Sequence, residues 1–377
     1  MKKWTAILTL LCCVLLLPLP LSATDREDYL DDTMDQLGEA IENEIPEEAE
    51  ELLEQLDLSE LGLQQILSLR PEQFLSLLKE QLQKQWEEPL VLLGKIAGIV
   101  LLSALLLPLK DSLLQGSSAN LFPLAAVSCL SGILAEPVAR CMEESVRALE
   151  HCSTFLLSLI PILGGLLTVG GKAATASGYQ LLLFGACQLV SQLAVSHLLP
   201  LLGIYFALSL VSAVFPQLGM QGIIGGIKSF VCWSLGILTT LFVGLLSLQT
   251  FVTSSVDAVT LKASRFLMGS FIPVVGSILS EAFGAAQGCI SLLKSTVGTF
   301  GILVALCTML PILLQLCLWY FSTWAAMQIS NMLQEKELSA ILKAATNSFG
   351  ILLALLLCFL LLIVVATTLV ICIGTGG

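Results

Sequence analysis

From Pro89 onward the chain is a series of apolar segments: Leu90 to Leu109, Leu121 to Ala135, Phe155 to Val169, Leu181 to Leu199, Leu201 to Phe215, Phe230 to Thr250, Phe266 to Phe283, Phe300 to Ala325 and Phe349 to Ile373. Such a sequence belongs in lipid, where no water satisfies backbone N–H and C=O groups, so each spanning segment must close its own hydrogen bonds as a helix or join a closed barrel. A helical span takes about 20 residues and a membrane strand about half that, and these lengths select helices. Several segments fall short of a full span, and Leu181 to Phe215 is too long for one and tight for two. The expectation is an all-α polytopic membrane protein with seven to nine membrane segments. Composition agrees, since 12% of residues are charged where a soluble chain has about 25%.

Within these segments one pattern recurs. Ser158-Leu-Ile-Pro-Ile-Leu-Gly-Gly-Leu-Leu167 returns 112 residues later as Ser270-Phe-Ile-Pro-Val-Val-Gly-Ser-Ile-Leu279. Small-residue tracts follow both copies (Gly170 to Ala174, Gly284 to Gly288), then Phe184-Gly185 and Phe300-Gly301, then Leu199-Pro200-Leu201 and Leu310-Pro311-Ile312. The sequence thus reads as a duplicated core, with unit one at about 121–216 and unit two at about 229–328, a first span at 90–109 and a last span at 349–373. Whether the duplication is parallel or inverted stays open. Paired Pro and Gly interruptions in corresponding segments mark broken or re-entrant helices, whose exposed backbone groups can face a substrate path. Pro161, Gly164, Pro273 and Gly276 are therefore the transport-path or gating candidates. Glu281, eight residues after Pro273 in a small and apolar stretch, joins them because a charge at membrane depth is costly; Lys294 is its expected partner across a hairpin. The bland alternative for Glu281 is a place at the interface, and for Lys262 and Arg265 a role as snorkelling anchors. Glu143, Glu144, Arg147 and Glu150 share one side of a stretch expected to be an interfacial amphipathic helix.

The N-terminal part is different in kind. Lys2 and Lys3, an apolar run from Trp4 to Leu21 and the pair Ser22-Ala23 have the layout of a signal peptide over residues 1–23. Residues 24–88 hold twenty acidic residues against Arg26, Arg70, Lys79 and Lys84. This segment is expected to be an exported, acidic, helical extracytoplasmic domain, and residues 89–377 the membrane domain. Leu30, Met34, Leu37, Ile41 and Ile45 fall at helical spacing, as do Leu75, Leu78, Leu82 and Trp86, so their stripes should pack on one another or on a protein partner. Export of this segment runs the first span inward and leaves Lys110 in the cytoplasm, as the positive-inside tendency requires.

Chemistry-bearing motifs are scarce. The sequence has no His-Glu-x-x-His, Gly-x-Ser-x-Gly or Walker-type loop, which points away from an enzyme. His151 and His197 are too few and too far apart for a metal site. Ten of the twelve cysteines are scattered among apolar neighbours from Cys129 to Cys372 and read as small buried hydrophobes. No cofactor and no nucleic-acid partner are expected; a lipid bilayer, protein partners and a small-molecule or ion substrate are.

The tract Leu261-Lys-Ala-Ser-Arg-Phe-Leu-Met-Gly-Ser-Phe-Ile-Pro-Val-Val-Gly-Ser-Ile-Leu-Ser280 and the downstream Leu292-Leu-Lys-Ser-Thr-Val-Gly298, with the signal segment and acidic ectodomain, resemble the stage III sporulation protein AE family of endospore-forming bacteria. The resemblance implies a multi-pass protein of the mother-cell membrane around the forespore. It also implies work with other proteins of a trans-envelope channel complex needed for late forespore gene expression. The family supplies no catalytic or ligand residues. A non-conducting assembly scaffold and a stand-alone secondary transporter are the rival readings.

Overall fold

The computed structural model describes residues 41, 44–56, 58, 71–113, 121–271 and 276–372. The signal segment, Leu30, Met34, Leu37 and Pro273 lie outside them. Every regular element among the described residues is helical: α1 Glu47–Gln55, α2 Pro71–Gln85, α3 Glu87–Leu113, α4 Leu121–Val169, α5 Ala173–Leu193, α6 Leu199–Val214, α7 Gln221–Phe271, α8 Gly276–Met332 and α9 Lys336–Cys372. A five-residue π turn, Ala194–Leu198, joins α5 to α6. Pro200, at the start of α6, has no N–H to donate to the preceding turn, and just before it the Leu199 N–H makes the wider bond to Ala194 O.

Six stretches of the described residues are long and apolar enough to cross a membrane: Glu87–Leu106, Leu124–Val169, Ala173–Val214, Gln221–Gln249, Gln287–Met332 and Lys336–Cys372. The difference from the expected seven to nine comes in part from adjacent apolar segments that fuse, and the expected segment Phe266 to Phe283 includes residues outside the described ones. Leu121 to Ala135 and Phe155 to Val169 are one helix, α4, and the charged stretch between them is its middle rather than a separate interfacial helix. Glu136 and Arg140, then Glu143 and Arg147, pair at i,i+4 there, and such pairs sustain a helix through a polar stretch. At 49 residues α4 is about 74 Å long, more than twice the hydrocarbon thickness.

The long helices share one axis. Gly170 of α4 meets Ile290 of α8, and Gly301 meets Leu159, so α4 and α8 run antiparallel. α8 and α9 are also antiparallel, with Trp319 stacked on Phe349 at 6.1 Å between ring centroids and Ile371 closing on Gly298. The α5–α6 arm returns along α4: Gln180 fills the space beside Gly164, and Met142 reaches Gly203. Phe155, Phe300, Phe349 and Phe359 are fully buried in the core so formed.

The acidic segment does not stand apart. α1 and α2 pack on α8, Glu48 meets His151 of α4 at 3.1 Å, and Ser158 donates to Glu44 at 3.1 Å. Of the first expected stripe Ile41 is buried and Ile45 packs against the same core, together with Leu52, Leu53, Leu56 and Leu58, so these side chains pack on the chain's own membrane helices. The stripe expected on α2 is out of phase. Of that stripe Leu78 packs against the core while Leu75, Leu82 and Trp86 are exposed, and Leu77 and Gln81 face inward instead.

Candidate functional site

The predicted path residues fare unequally. Pro161 lies inside the continuous helix α4 and is exposed, so the helix is not broken there. The chain reverses instead at Gly170-Gly171, where Gly171 takes φ 78°. Gly164 is buried, and a Cβ on it would collide with the amide of Gln180; glycine at this position is what lets α5 approach α4. Gly276 begins α8. Because α8 runs unbroken from Gly276 to Met332, no hairpin separates Glu281 from Lys294, and the thirteen residues between them amount to about 20 Å of helix. That corrects the expected pairing. The side-chain surroundings of Glu281 lie outside the described residues. Lys294 is 3% exposed and, by the α4–α8 register, level with Leu166, so the fold gathers Gly164 and Lys294 near the α4–α5 turn.

Corresponding motifs of the two expected units also sit differently. Phe184 is 53% exposed and Phe300 1%. Pro200 follows a π turn, whereas Pro311 lies within α8. Gly170-Gly171 makes a turn, but Gly284 to Gly288 is helical.

A second cluster escaped the sequence reading. Lys228 of α7 donates to Asn347 Oδ1 of α9 at 2.8 Å, and Asn347 Nδ2 donates to Tyr205 Oη of α6 at 3.0 Å. Tyr205 is 3% exposed. One residue back on α9, Thr346 donates to Thr323 of α8 at 3.1 Å, and the neighbouring Ser322 donates to Pro89 O of α3 at 2.8 Å. On α4, Arg140 bridges Glu88 at 3.1 Å and Glu136 at 2.7 Å. Glu144 is within reach of Gln315 of α8, and its Oε2 is buried without a hydrogen-bond partner among the described residues. Six helices thus contribute to one polar level of the bundle, buried at Thr346-Thr323 and Ser322, part-buried at Lys228-Asn347-Tyr205 and exposed at Arg140, Glu88 and Glu136. Inside a low-dielectric core such bonds fix the register of the helices they join, because a slip would strand each donor. The layer is also the place where a polar solute or ion could find partners. Its sequence signals were weak: Asn347 is the one amide in α9, and Lys228 interrupts an apolar run.

Among the described residues no group of three or more His, Cys, Asp or Glu is placed to hold a metal. A small pocket between α6, α7 and α9, lined by Leu202, Leu235 and Leu352 among others, measures about 10 Å³, room for one water at most.

Comparison with known proteins agrees with the resemblance. The profile of the stage III sporulation protein AE family matches residues 57–375. The stage III sporulation protein AE of Bacillus subtilis (strain 168) is 26% identical over 218 residues, which cover 57% of this chain and 55% of the relative. The chain thus spans about half the length of the curated relative it matches. No solved structure matches. With most of its length matched by one profile, this chain belongs to the stage III sporulation protein AE family.

Proposed function

We propose that this protein is a membrane subunit of the complex joining mother cell and forespore, required for late forespore gene expression, and that any path it lines forms against neighbouring subunits. Its place is the mother-cell membrane around the forespore, with the acidic N-terminal segment extracytoplasmic and other proteins of the complex as partners. Family membership and six long apolar helices support this setting.

The observation that carries the division of labour is the contrast between two sides of α7: where α6, α7 and α9 meet, the space left is about 10 Å³, whereas the outer face of α7 is open. Gly222, Gly226, Gly236 and Gly244 there have nothing within 4 Å of a built Cβ, and small residues on a membrane helix permit close approach by another. A groove of about 580 Å³ follows this face past Cys232, Trp233 and Thr240. The same face favours the second reading, a scaffold that holds neighbours without conducting. A stand-alone transporter would need a substrate-sized site between its own helices.

Deleting the gene should abolish a late forespore reporter while earlier reporters persist; normal late expression would refute the reading. Cys232 then separates path from scaffold. In a chain keeping Cys232 as its single cysteine, modification by a water-soluble thiol reagent in the assembled complex supports a lined path. Protection, with crosslinking to a neighbour, supports the scaffold.

A further inference from the structure

Four buried side-chain oxygens among the described residues have no hydrogen-bond partner: Gln85 Oε1, Glu144 Oε2, Tyr179 Oη and Glu335 Oε1. Tyr179 and Glu335 belong to opposite ends of the bundle, but Gln85 and Glu144 meet at one level. Gln315 of α8 donates to the Glu144 carboxyl, necessarily at its other oxygen. The α4–α8 register set by Gly170 with Ile290 and Leu159 with Gly301 puts Glu144 level with Leu316, beside Gln315.

Gln85 reaches the same level from α2. It lies one turn before Pro89, whose carbonyl accepts from Ser322 of α8 at 2.8 Å. By the same register Ser158 and His151, which carry the contacts of the N-terminal segment at Glu44 and Glu48, are level with Ile302 and Met309. α2 packs on α8 between that point and Ser322, so it climbs along α8 and brings Gln85 beside the stretch from Gln315 to Ser322. Gln81, one turn before Gln85, is 8% exposed, which makes this face of α2 the inner one.

The surroundings are negative. Arg140 is shared by Glu88 and Glu136, and Arg147 is engaged by Glu143. Those two guanidiniums are the cations that act on Glu144, and Glu88 opposes them. Two acceptors that face one pocket, with carboxylates around them, are unfavourable unless something positive lies between.

We propose that Glu144 Oε2 and Gln85 Oε1 are ligands of a monovalent metal cation, sodium or potassium. One carboxylate and a neutral amide oxygen balance a single positive charge, whereas divalent cations recruit further carboxylates. Oxygens of this kind replace the hydration shell of such an ion. The site is built within one chain, so it holds for a path-lining subunit and for a scaffold alike.

Thermal unfolding of the full chain in neutral detergent tests this, in N-methylglucamine chloride to which sodium or potassium chloride is added at constant ionic strength. At least one of the two ions should raise the unfolding temperature along a saturable curve, and the ion with the lower midpoint is the preferred ligand. Glu144→Gln, which keeps the shape and removes the charge, should abolish the rise. Gln85→Leu should move the midpoint about tenfold to higher concentration, as loss of a supporting group at a metal site does. Glu150→Gln, on the exposed side of α4, should leave it in place. A rise that Glu144→Gln retains is a general salt effect and overturns the proposal. A flat response of the unaltered protein to both ions overturns it as well; if stability then falls as pH rises, the pocket holds a proton on Glu144 instead. Should Glu144→Gln fail to fold, the unaltered protein and Gln85→Leu decide between them, and equal midpoints overturn the proposal.

Discussion

Two chain reversals, at opposite ends of the bundle, use one hydrogen-bond pattern and different chemistry. At the α4–α5 turn the N–H of Lys172 bonds Leu167 O at 2.9 Å, and at the α8–α9 turn the N–H of Glu335 bonds Ser330 O at 3.1 Å. Both are the wide closing bond of a Schellman-type helix end, which needs a left-handed residue one position earlier. Gly171 fills that position at φ 78° in the first, Gln334 at φ 60° in the second. The first end then packs by close approach, with glycines 164, 170, 178, 298 and 301 each beside a neighbour's atoms. The second holds itself by side chains: Ser330 donates to Glu335 O, Ser339 to Asn331, and further in come Thr346 to Thr323 and the Lys228-Asn347-Tyr205 chain. One end is specified by absent side chains, the other by polar side chains that must find each other.

The largest effect should come from filling the glycine-built end. Gly164→Leu drives its side chain into Gln180 and should cost about 3 kcal/mol, the upper part of the overpacking range. Gly165→Ala, next to it but with open space around a Cβ, should be neutral or stabilising by up to about 1 kcal/mol through helix propensity. Thermal unfolding in one detergent compares the pair. If the two variants behave alike, close approach is not what glycine supplies here.

Next in size is the polar layer. Asn347→Leu removes the group that joins Lys228 to Tyr205 and should cost about 2 kcal/mol, as expected for stranded donors in a dry core. Lys228→Met in the same chain should recover part of that loss, because the cation then has no bond to miss. A double-mutant cycle on unfolding measures the coupling, and strict additivity would mean that the three side chains do not act as a unit.

The contrast between the ends also explains what could be read from the sequence. Helices and a membrane setting follow from apolar runs alone. Gly164 was identifiable too, since a glycine in an apolar helix suggests close approach, although the reason was a neighbour's amide rather than an opened backbone. Segment boundaries were misjudged where charges fell at i,i+4, as at Glu143-Arg147: a polar stretch between two apolar segments reads as a separate interfacial helix, yet its pairs keep one helix continuous. On α2 both candidate faces carry leucines, and only α8 determines that Leu77 faces inward and Leu75 outward. The polar layer was least legible, because Tyr205, Lys228 and Asn347 lie far apart in sequence and meet only after three helices have packed.

A smaller effect tests the turn chemistry directly. Gln334→Gly should stabilise by about 1 kcal/mol, because it removes the steric cost of a left-handed side-chain-bearing residue. Gly171→Ala should lose a comparable amount at the other end. Opposite signs of shift in unfolding temperature confirm that the two reversals are one motif. If Gln334→Gly also lowered the unfolding temperature, the left-handed position of the α8–α9 turn would carry no steric cost to relieve.

The smallest expected change is at Pro161. A proline within a helix withholds one N–H, here from Leu157 O, and its ring crowds the preceding turn. In α4 the helix continues through this residue, and the ring is on the exposed side. Pro161→Ala therefore restores a hydrogen bond without opening or filling any contact in the core, and should stabilise by at most about 1 kcal/mol with sporulation unchanged. This variant bears on the whole contrast. If Pro161→Ala stops sporulation at normal protein level, the freed carbonyl is in use, and the glycine-built end carries a path as well as a close approach. If sporulation persists, the close approach marked by Gly164 is the part of the Pro-Gly pattern that the fold uses.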